Sequence, residues 1–502
     1  MQKKEQHKNR KTLFASSLNF LTSTGNASKT MSFQPFLNSN NKNPNFTSPP
    51  LKTWLNSKTT ESFNPMVLAM HLHSLSDPNS KTLIPNFDLT LLLSDEILLK
   101  IISKLPNSQH KSNSLVCKRW LNLQGRLIRS LKIFDLNFVL SGRLIHRFPN
   151  LTHVDLVPST FVVSPQNGVV LLTHSVVSMR VDTLWCFGEV EKNLLPVQAI
   201  DKGLKEVAKG CPNLRKLEVT GGSEEGLITI GEECVTLMEL EIQKCNDDIL
   251  RGVAACKNLQ VVKLIGCVDG FYESVVSDIG LTILAQGCKR LVKLELVGCE
   301  GSFDGIKAIG TCCLMLEELV FVDHRMDDGW LAGVSYCENL KTLRFVSCKV
   351  IDGNPGLEEH LGFCIALERL HFQKCQLRDK NAMGAAFSVC RAARDVVLQD
   401  CWGLDDSIFS LAVVCRRVKL FDLEGCSLLT TEGLESVIES WKELECLRVV
   451  SCKNIKDSDI SSALATLFTT LKELKWRPDT KHLLPSSLAE VNMGKKGGKF
   501  FK

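Results

Sequence analysis

Apolar residues along this chain alternate between two rhythms. In one, every second residue is apolar, inside a longer pattern C-x-x-L-x-x-L-x-L-x-x-C. It reads CVTLMELEIQKC (234–245), CKRLVKLELVGC (288–299), CENLKTLRFVSC (337–348) and CIALERLHFQKC (364–375). Looser copies are CKNLQVVKLIGC (256–267), CRAARDVVLQDC (390–401) and CRRVKLFDLEGC (415–426). Three others lack one cysteine: CPNLRKLEVTGG (211–222), CLMLEELVFVDH (313–324) and WKELECLRVVSC (441–452). The series begins at PNLTHVDLV (149–157) and ends at TTLKELKW (469–476). Between copies the apolar residues take helical spacing, as in DIGLTILAQGC (278–288). L-x-L predicts a short strand with alternate side chains on one face, and the spaced segment predicts a helix. Neither half buries its apolar face without copies above and below, so the pattern predicts a stacked α/β fold.

The final cysteines of the copies, with His324 standing in once, fall at 245, 267, 299, 324, 348, 375, 401, 426 and 452. Most steps are 22–27 residues and one is 32. The chain has 21 cysteines, of which all but Cys117, Cys186, Cys312 and Cys446 occupy repeat positions. The N-terminus has no uninterrupted apolar core of signal-peptide length, which predicts reduced thiols rather than disulfides. No C-x-x-C pair occurs, so no metal site is predicted. The repeat cysteines are expected to act as small hydrophobes inside the stack. A period in the twenties with L-x-x-L-x-L-x-x-C resembles the cysteine-containing leucine-rich repeats. That resemblance implies a right-handed horseshoe of about twelve repeats over 136–480, parallel strands inside and helices outside.

Upstream, LSDEILLKIISKLP (93–106) places Ile97, Ile101 and Leu105 at i, i+4 and i+8, with Leu98 and Ile102 beside them. One helix face is therefore apolar; Ser94 and Asp95 suit its start and Pro106 its stop. SLVCKRWL (114–121) follows, with Leu115, Val116 and Trp120 among Lys118 and Arg119. A unit of this size is marginal alone, so its bulky apolar groups either pack on the repeats or await a partner. The segment 87–135 resembles an F-box, through Leu93, Asp95, Glu96, Ile97, Leu98, Ile101, Leu105, Pro106, Val116, Cys117, Lys118 and Trp120. It departs at Ser94, where the family usually has Pro; serine is a competent cap. An F-box ahead of such repeats resembles the F-box/leucine-rich-repeat proteins. The resemblance implies docking on a Skp-type adaptor, and through it on a cullin and a RING protein, by Leu93, Ser94, Ile97, Leu98, Ile101, Leu105, Pro106, Leu115, Val116, Cys117 and Trp120. It also implies a specificity subunit of an SCF-type ubiquitin ligase, in nucleus or cytoplasm, with no catalysis of its own. The plainer alternative is a helical cap on an exposed solenoid end.

A protein substrate is expected on the strand face that points away from the core. Early repeats place Lys216, Glu218, Glu239 and Glu241 there, and late ones Arg448, Lys475 and Arg477. The middle repeats present Val261, Lys263, Ile265, Lys293, Val297, Val320, Val322, Arg344, Val346, Arg369 and His371, aliphatics rimmed by cations. The long step between Cys267 and Cys299 adds a loop with Phe271 and Tyr272. The interruption at 158–200 is long enough to hold a degenerate repeat.

Composition removes other classes. The net charge of +5 over 502 residues is lopsided: residues 1–86 carry ten Lys/Arg against three acids, +7, which leaves −2 elsewhere. A near-neutral body with a small basic tail is not a nucleic-acid footprint. The longest uncharged stretch, 156–179, is broken by Pro158, Pro165, Gln166, Asn167 and Gly168, too polar to span a membrane. Residues 1–86, with 33 Ser, Thr or Asn, read as a disordered tail, and 481–502 as a basic one. No P-loop, G-x-S-x-G or H-E-x-x-H is present, so neither catalytic residues nor a cofactor are predicted. The architecture is also similar to that of the auxin and jasmonate receptors, whose hormone and inositol phosphate require a dense basic cluster. Here cations alternate with valines and glutamates.

Overall fold

L-x-L segments that stack in register build a parallel sheet one rung per repeat. The computed structural model describes residues 89–161, 194–268, 273–356 and 361–478, with the backbone of 169–172 and 178–181. The sheet opens with β1 (Ser130–Lys132) and β2 (His153–Asp155); a separate antiparallel hairpin follows, β3 (Val169–Leu172) and β4 (Ser178–Val181). It continues through β5 (Lys216–Thr220), β6 (Glu239–Gln243), β7 (Val261–Ile265), β8 (Lys293–Val297), β9 (Glu318–Val322) and β10 (Thr342–Val346). It closes with β11 (Arg369–Gln373), β12 (Asp395–Gln399), β13 (Leu420–Glu424), β14 (Cys446–Val450) and β15 (Glu473–Arg477). These thirteen strands lie in chain order, every neighbour parallel.

Two sequence expectations change here. The sheet starts at Ser130, inside the span given to the F-box, because SLK pairs with HVD of the first clear copy. The interruption at 158–200 hides no rung, since β2 pairs directly with β5, His153 opposite Lys216. The chain instead leaves the stack at Phe161 and returns at Leu194, the two joined by an antiparallel bridge.

The register aligns the leucine columns. Leu240, Val262, Leu294, Leu319 and Leu343 follow one another across the sheet, and beside them Leu296, Phe321, Phe345, Phe372 and Leu398. The rings of Phe321 and Phe345 stack at 5.8 Å, and those of Phe345 and Phe372 at 4.7 Å. Helices cover the other side of this core, and an acid at one helix start caps the next. Asp247 accepts from the Ser277 amide (2.8 Å) and hydroxyl (2.6 Å), Asp278 from those of Ser302 (both 2.7 Å), and Asp406 from those of Thr430 (2.8 and 2.7 Å). Each Ser or Thr in turn caps its own helix, so capping ties neighbouring repeats together.

Nearly all repeat cysteines are free and buried, and many donate weakly to a nearby carbonyl. The Cys313 thiol donates to the Cys288 carbonyl at 3.6 Å, and Cys348 to Phe321 at 3.7 Å. Cysteine is small and apolar yet keeps a donor for a carbonyl of the preceding repeat. Burial pushes the Cys211 thiol up to about 11 and those of Cys234, Cys256 and Cys288 up to about 12. Between strand and cysteine the chain turns through a left-handed residue, often not glycine: Lys244, Asp323, Ser347, Lys374, Asp400 and Ser451. At Gly298 (φ 57°) glycine is obligatory, because a Cβ would collide with the Cys267 carbonyl.

His324 departs from this scheme. It fills a cysteine position between Phe321 (5.6 Å) and Trp330 (5.1 Å), and no partner meets either ring nitrogen among the described residues. Burial drops its pKa from 6.5 to about 4. The folded state thus keeps the ring neutral while the unfolded chain takes up a proton below pH 6.5, so stability is intact above that pH and falls as pH drops towards 4. His324→Cys is expected to remove about 2 kcal/mol of the stability loss between pH 7 and pH 5. Denaturant midpoints of both proteins at the two pH values measure it; parallel losses would refute it.

Candidate docking faces

The helical unit holds α1 (Asp95–Lys104), α2 (His110–Ser114) and α3 (Lys118–Leu127). Ser94 caps α1 by accepting the Ile97 amide at 3.5 Å, and Cys117 caps α3 by accepting that of Trp120 at 3.5 Å. Arg119 fastens the start of α3 to the start of α1. Its guanidinium donates to Asp95 Oδ1 (2.8 Å), the Thr90 carbonyl (3.0 Å) and the Leu93 carbonyl (2.7 Å). Sequence reading passed over Arg119; its signal was an acid at the first turn of α1 in need of a cation.

Leu98, Ile102 and Leu123 form a core of their own, with Leu93, Leu99, Trp120 and Leu127 packed against it. Leu98 was expected on the adaptor face, but it is fully buried and offers no surface. Leu93 and Trp120 are half-buried on that core, so they brace the face more than they form it. Leu105 and Cys117 are half-buried; Ser94 and Pro106 are exposed. Ile97 (48% exposed), Ile101 (41%), Leu115 (77%) and Val116 (57%) stand in solvent, as does Leu91 (61%), which no motif marked. So dense a run of exposed aliphatics within 91–116 is unlike a solvated helix face.

The unit meets the sheet without a flexible joint. Only Ile128 and Arg129 separate α3 from β1. Asn150 donates to the Arg126 carbonyl (2.8 Å), Arg129 donates to the Asn150 carbonyl (3.0 Å), and Gly125 abuts the Arg147 carbonyl too closely for a Cβ.

The second face is the open side of the sheet. Val261, Lys263, Lys293, Val322, Arg344, Val346 and His371 are half-buried there and Arg369 is exposed. Ile265 and Val297 were expected to be free, but Phe161, Leu194 and Val268 pack over them. Val320 is also buried. Phe271 and Tyr272 lie outside the described residues. The expected basic rim is mostly neutralised across strands: Lys263 lies 3.6 Å from Glu241 and 3.5 Å from Glu295, Lys293 2.9 Å from Glu318, and Arg369 3.5 Å from Asp395. Lys216 pairs with Glu218 at 2.8 Å and Arg448 with Glu473 at 2.9 Å. Burial raises the carboxyls of Glu241 and Asp395. His371 meets Gln399 Oε1 at 3.2 Å; burial, then the charge of Arg344, holds its pKa below the usual histidine value. Among the described residues, no cluster of three or more His, Cys, Asp or Glu forms a metal cage, and no helix is long and apolar enough to cross a membrane.

An F-box-like helical unit set on a cysteine-type leucine-rich-repeat sheet is the arrangement that the F-box/leucine-rich-repeat proteins share. The chain is homologous over most of its length to F-box proteins of Petunia hybrida. With F-box protein MAX2 homolog A it shares 23% identity over 436 residues, 76% of this chain, and with homolog B 22% over 472 residues, 79% of this chain. It spans 60% and 61% of the lengths of those relatives. No protein-family model matches the chain. Among solved structures, the TLR13–ssRNA13 complex aligns with a TM-score of 0.42 at 16% identity, covering 67% of this chain and 41% of that one. The mouse RP105/MD-1 complex aligns with a TM-score of 0.40 at 16% identity, covering 69% and 50%. At such scores the assignment of the fold rests on the repeat geometry itself.

Proposed function

We propose that the chain is the substrate-recognition subunit of an SCF-type ubiquitin ligase. In this reading 91–116 grips a Skp-type adaptor, which brings the cullin and RING protein, while the open face of the sheet selects a protein for ubiquitination. The chain catalyses nothing itself, and it works in nucleus or cytoplasm with its partners. The observation that carries the reading is the division of labour within one small unit. Leu98, Ile102 and Leu123 already fill its core, so Ile97, Ile101, Leu115 and Val116 have no internal use. A cap made only to seal the solenoid would turn such residues inward.

The ion pairing on the open face weighs against a hormone seat of the auxin or jasmonate kind, because most of the cations there already have carboxylate partners. Co-expression of the full chain with a Skp-type adaptor tests the main reading. The adaptor should co-purify in stoichiometric amount; if it washes away from the folded wild-type chain, a repeat scaffold without ubiquitin transfer is the better description.

A further inference from the structure

Across β5–β12 the strand cations Lys216, Lys263, Lys293 and Arg369 each have a carboxylate within 4 Å. Arg344, in the middle of β10, has none among the described residues, and its Nε is enclosed without an acceptor. The register shows why. Its cross-strand neighbours are Val320 on β9 and His371 on β11, and its neighbours on the same face of β10 are Thr342 and Val346. The nearest acids by register are committed elsewhere, Glu318 to Lys293 and Asp395 to Arg369. A half-buried guanidinium without a counter-charge is costly, and an incoming carboxylate on its accessible side offsets that cost.

A second observation lies two residues along the same strand. Ile265, Val297, Val322 and Val346 follow one another in register from β7 to β10. Phe161, Leu194 and Val268 roof this apolar row over Ile265 and Val297. The row runs on past the roof to Val346, half-buried beside Arg344. A chain laid across the face there would extend the cover that Phe161 and Leu194 begin.

We propose that this place takes an extended segment of a protein partner, with an Asp or Glu carboxylate on Arg344 and a neighbouring aliphatic or aromatic side chain on Val322 and Val346. This deepens the reading of the open face as the substrate face and rests on it. A carboxylate fits better than a phosphate. One guanidinium beside a neutral His371 and two committed acids matches a single negative charge, whereas phosphate sites gather several cations.

A random twelve-residue peptide library displayed on phage and panned on the purified full chain tests this. Enriched peptides should share an acidic residue next to an apolar one. The best of them, labelled for fluorescence anisotropy, should bind Arg344→Gln and Arg344→Glu at least 10-fold more weakly, with melting temperatures unchanged. Replacing the peptide's acid by its amide should weaken binding to wild type equally, and add nothing in Arg344→Gln. A library that enriches nothing, or peptides without an acid, overturns the proposal. So does binding that Val346→Asp abolishes and Arg344→Gln leaves alone, although the face then still binds partners. Indifference to both changes defeats the proposal and the reading of the face together. Adaptor retention by the same preparations reports separately on the ligase reading.

Discussion

Changing Ile97 and Ile101 together to aspartate is expected to weaken adaptor binding by on the order of 100-fold or more, because buried aliphatic anchors at an interface each carry about 2 kcal/mol or more. Both side chains are more than two-fifths exposed, so the charge costs the free chain little and its melting temperature should hold. Binding brings the same positions out of water, where an unpaired carboxylate is strongly disfavoured. Titration calorimetry with purified adaptor measures the effect. Unchanged affinity would remove α1 from the docking face. Leu98→Ala separates docking from folding: it should also reduce binding, but through loosened packing, seen as faster hydrogen exchange across α1 and α3.

Phe345→Ala should cost about 3–5 kcal/mol, the range for removing a buried aromatic ring. Phe345 is fully buried, lies between Phe321 and Phe372, and has Trp330 5.7 Å away. The lost ring leaves a hole in the middle of the stack and breaks three ring pairs, each worth about 0.5–1.5 kcal/mol beyond area. Since a solenoid's repeats couple mainly to their neighbours, the weakness should stay local. Limited proteolysis should cut first between β9 and β11 and leave two resistant halves. A shift in denaturant midpoint with uniform digestion would contradict this; no shift would mean the ring carries no packing load.

The sheet was legible because L-x-L carries its own register, and aligning the cysteines aligns the strands. β1 escaped because SLK offers one apolar residue and no cysteine. The hairpin after Phe161 escaped because it belongs to no repeat. On α1 the difficulty was geometric. Ile97, Ile101 and Leu105 recur every four residues, and so do Leu98 and Ile102, so the period alone does not say which stripe faces Leu123. The ion pairs of the open face were within reach of sequence. Lys293 and Glu318 lie one repeat apart, and the alignment that makes Arg344 the neighbour of Val320 and His371 already leaves it without an acid.

The thiols carry a practical consequence. While the stack is intact, desolvation holds buried thiols such as Cys245, Cys288 and Cys337 in the unreactive protonated form. Melting exposes the sixteen cysteines that are buried among the described residues at once, each then near its ordinary acidity and free to exchange or oxidise. Without a reductant, heating should therefore become a one-way process, with scrambled crosslinks outcompeting refolding, and a scan-rate-dependent midpoint under air should turn reversible in an excess of phosphine.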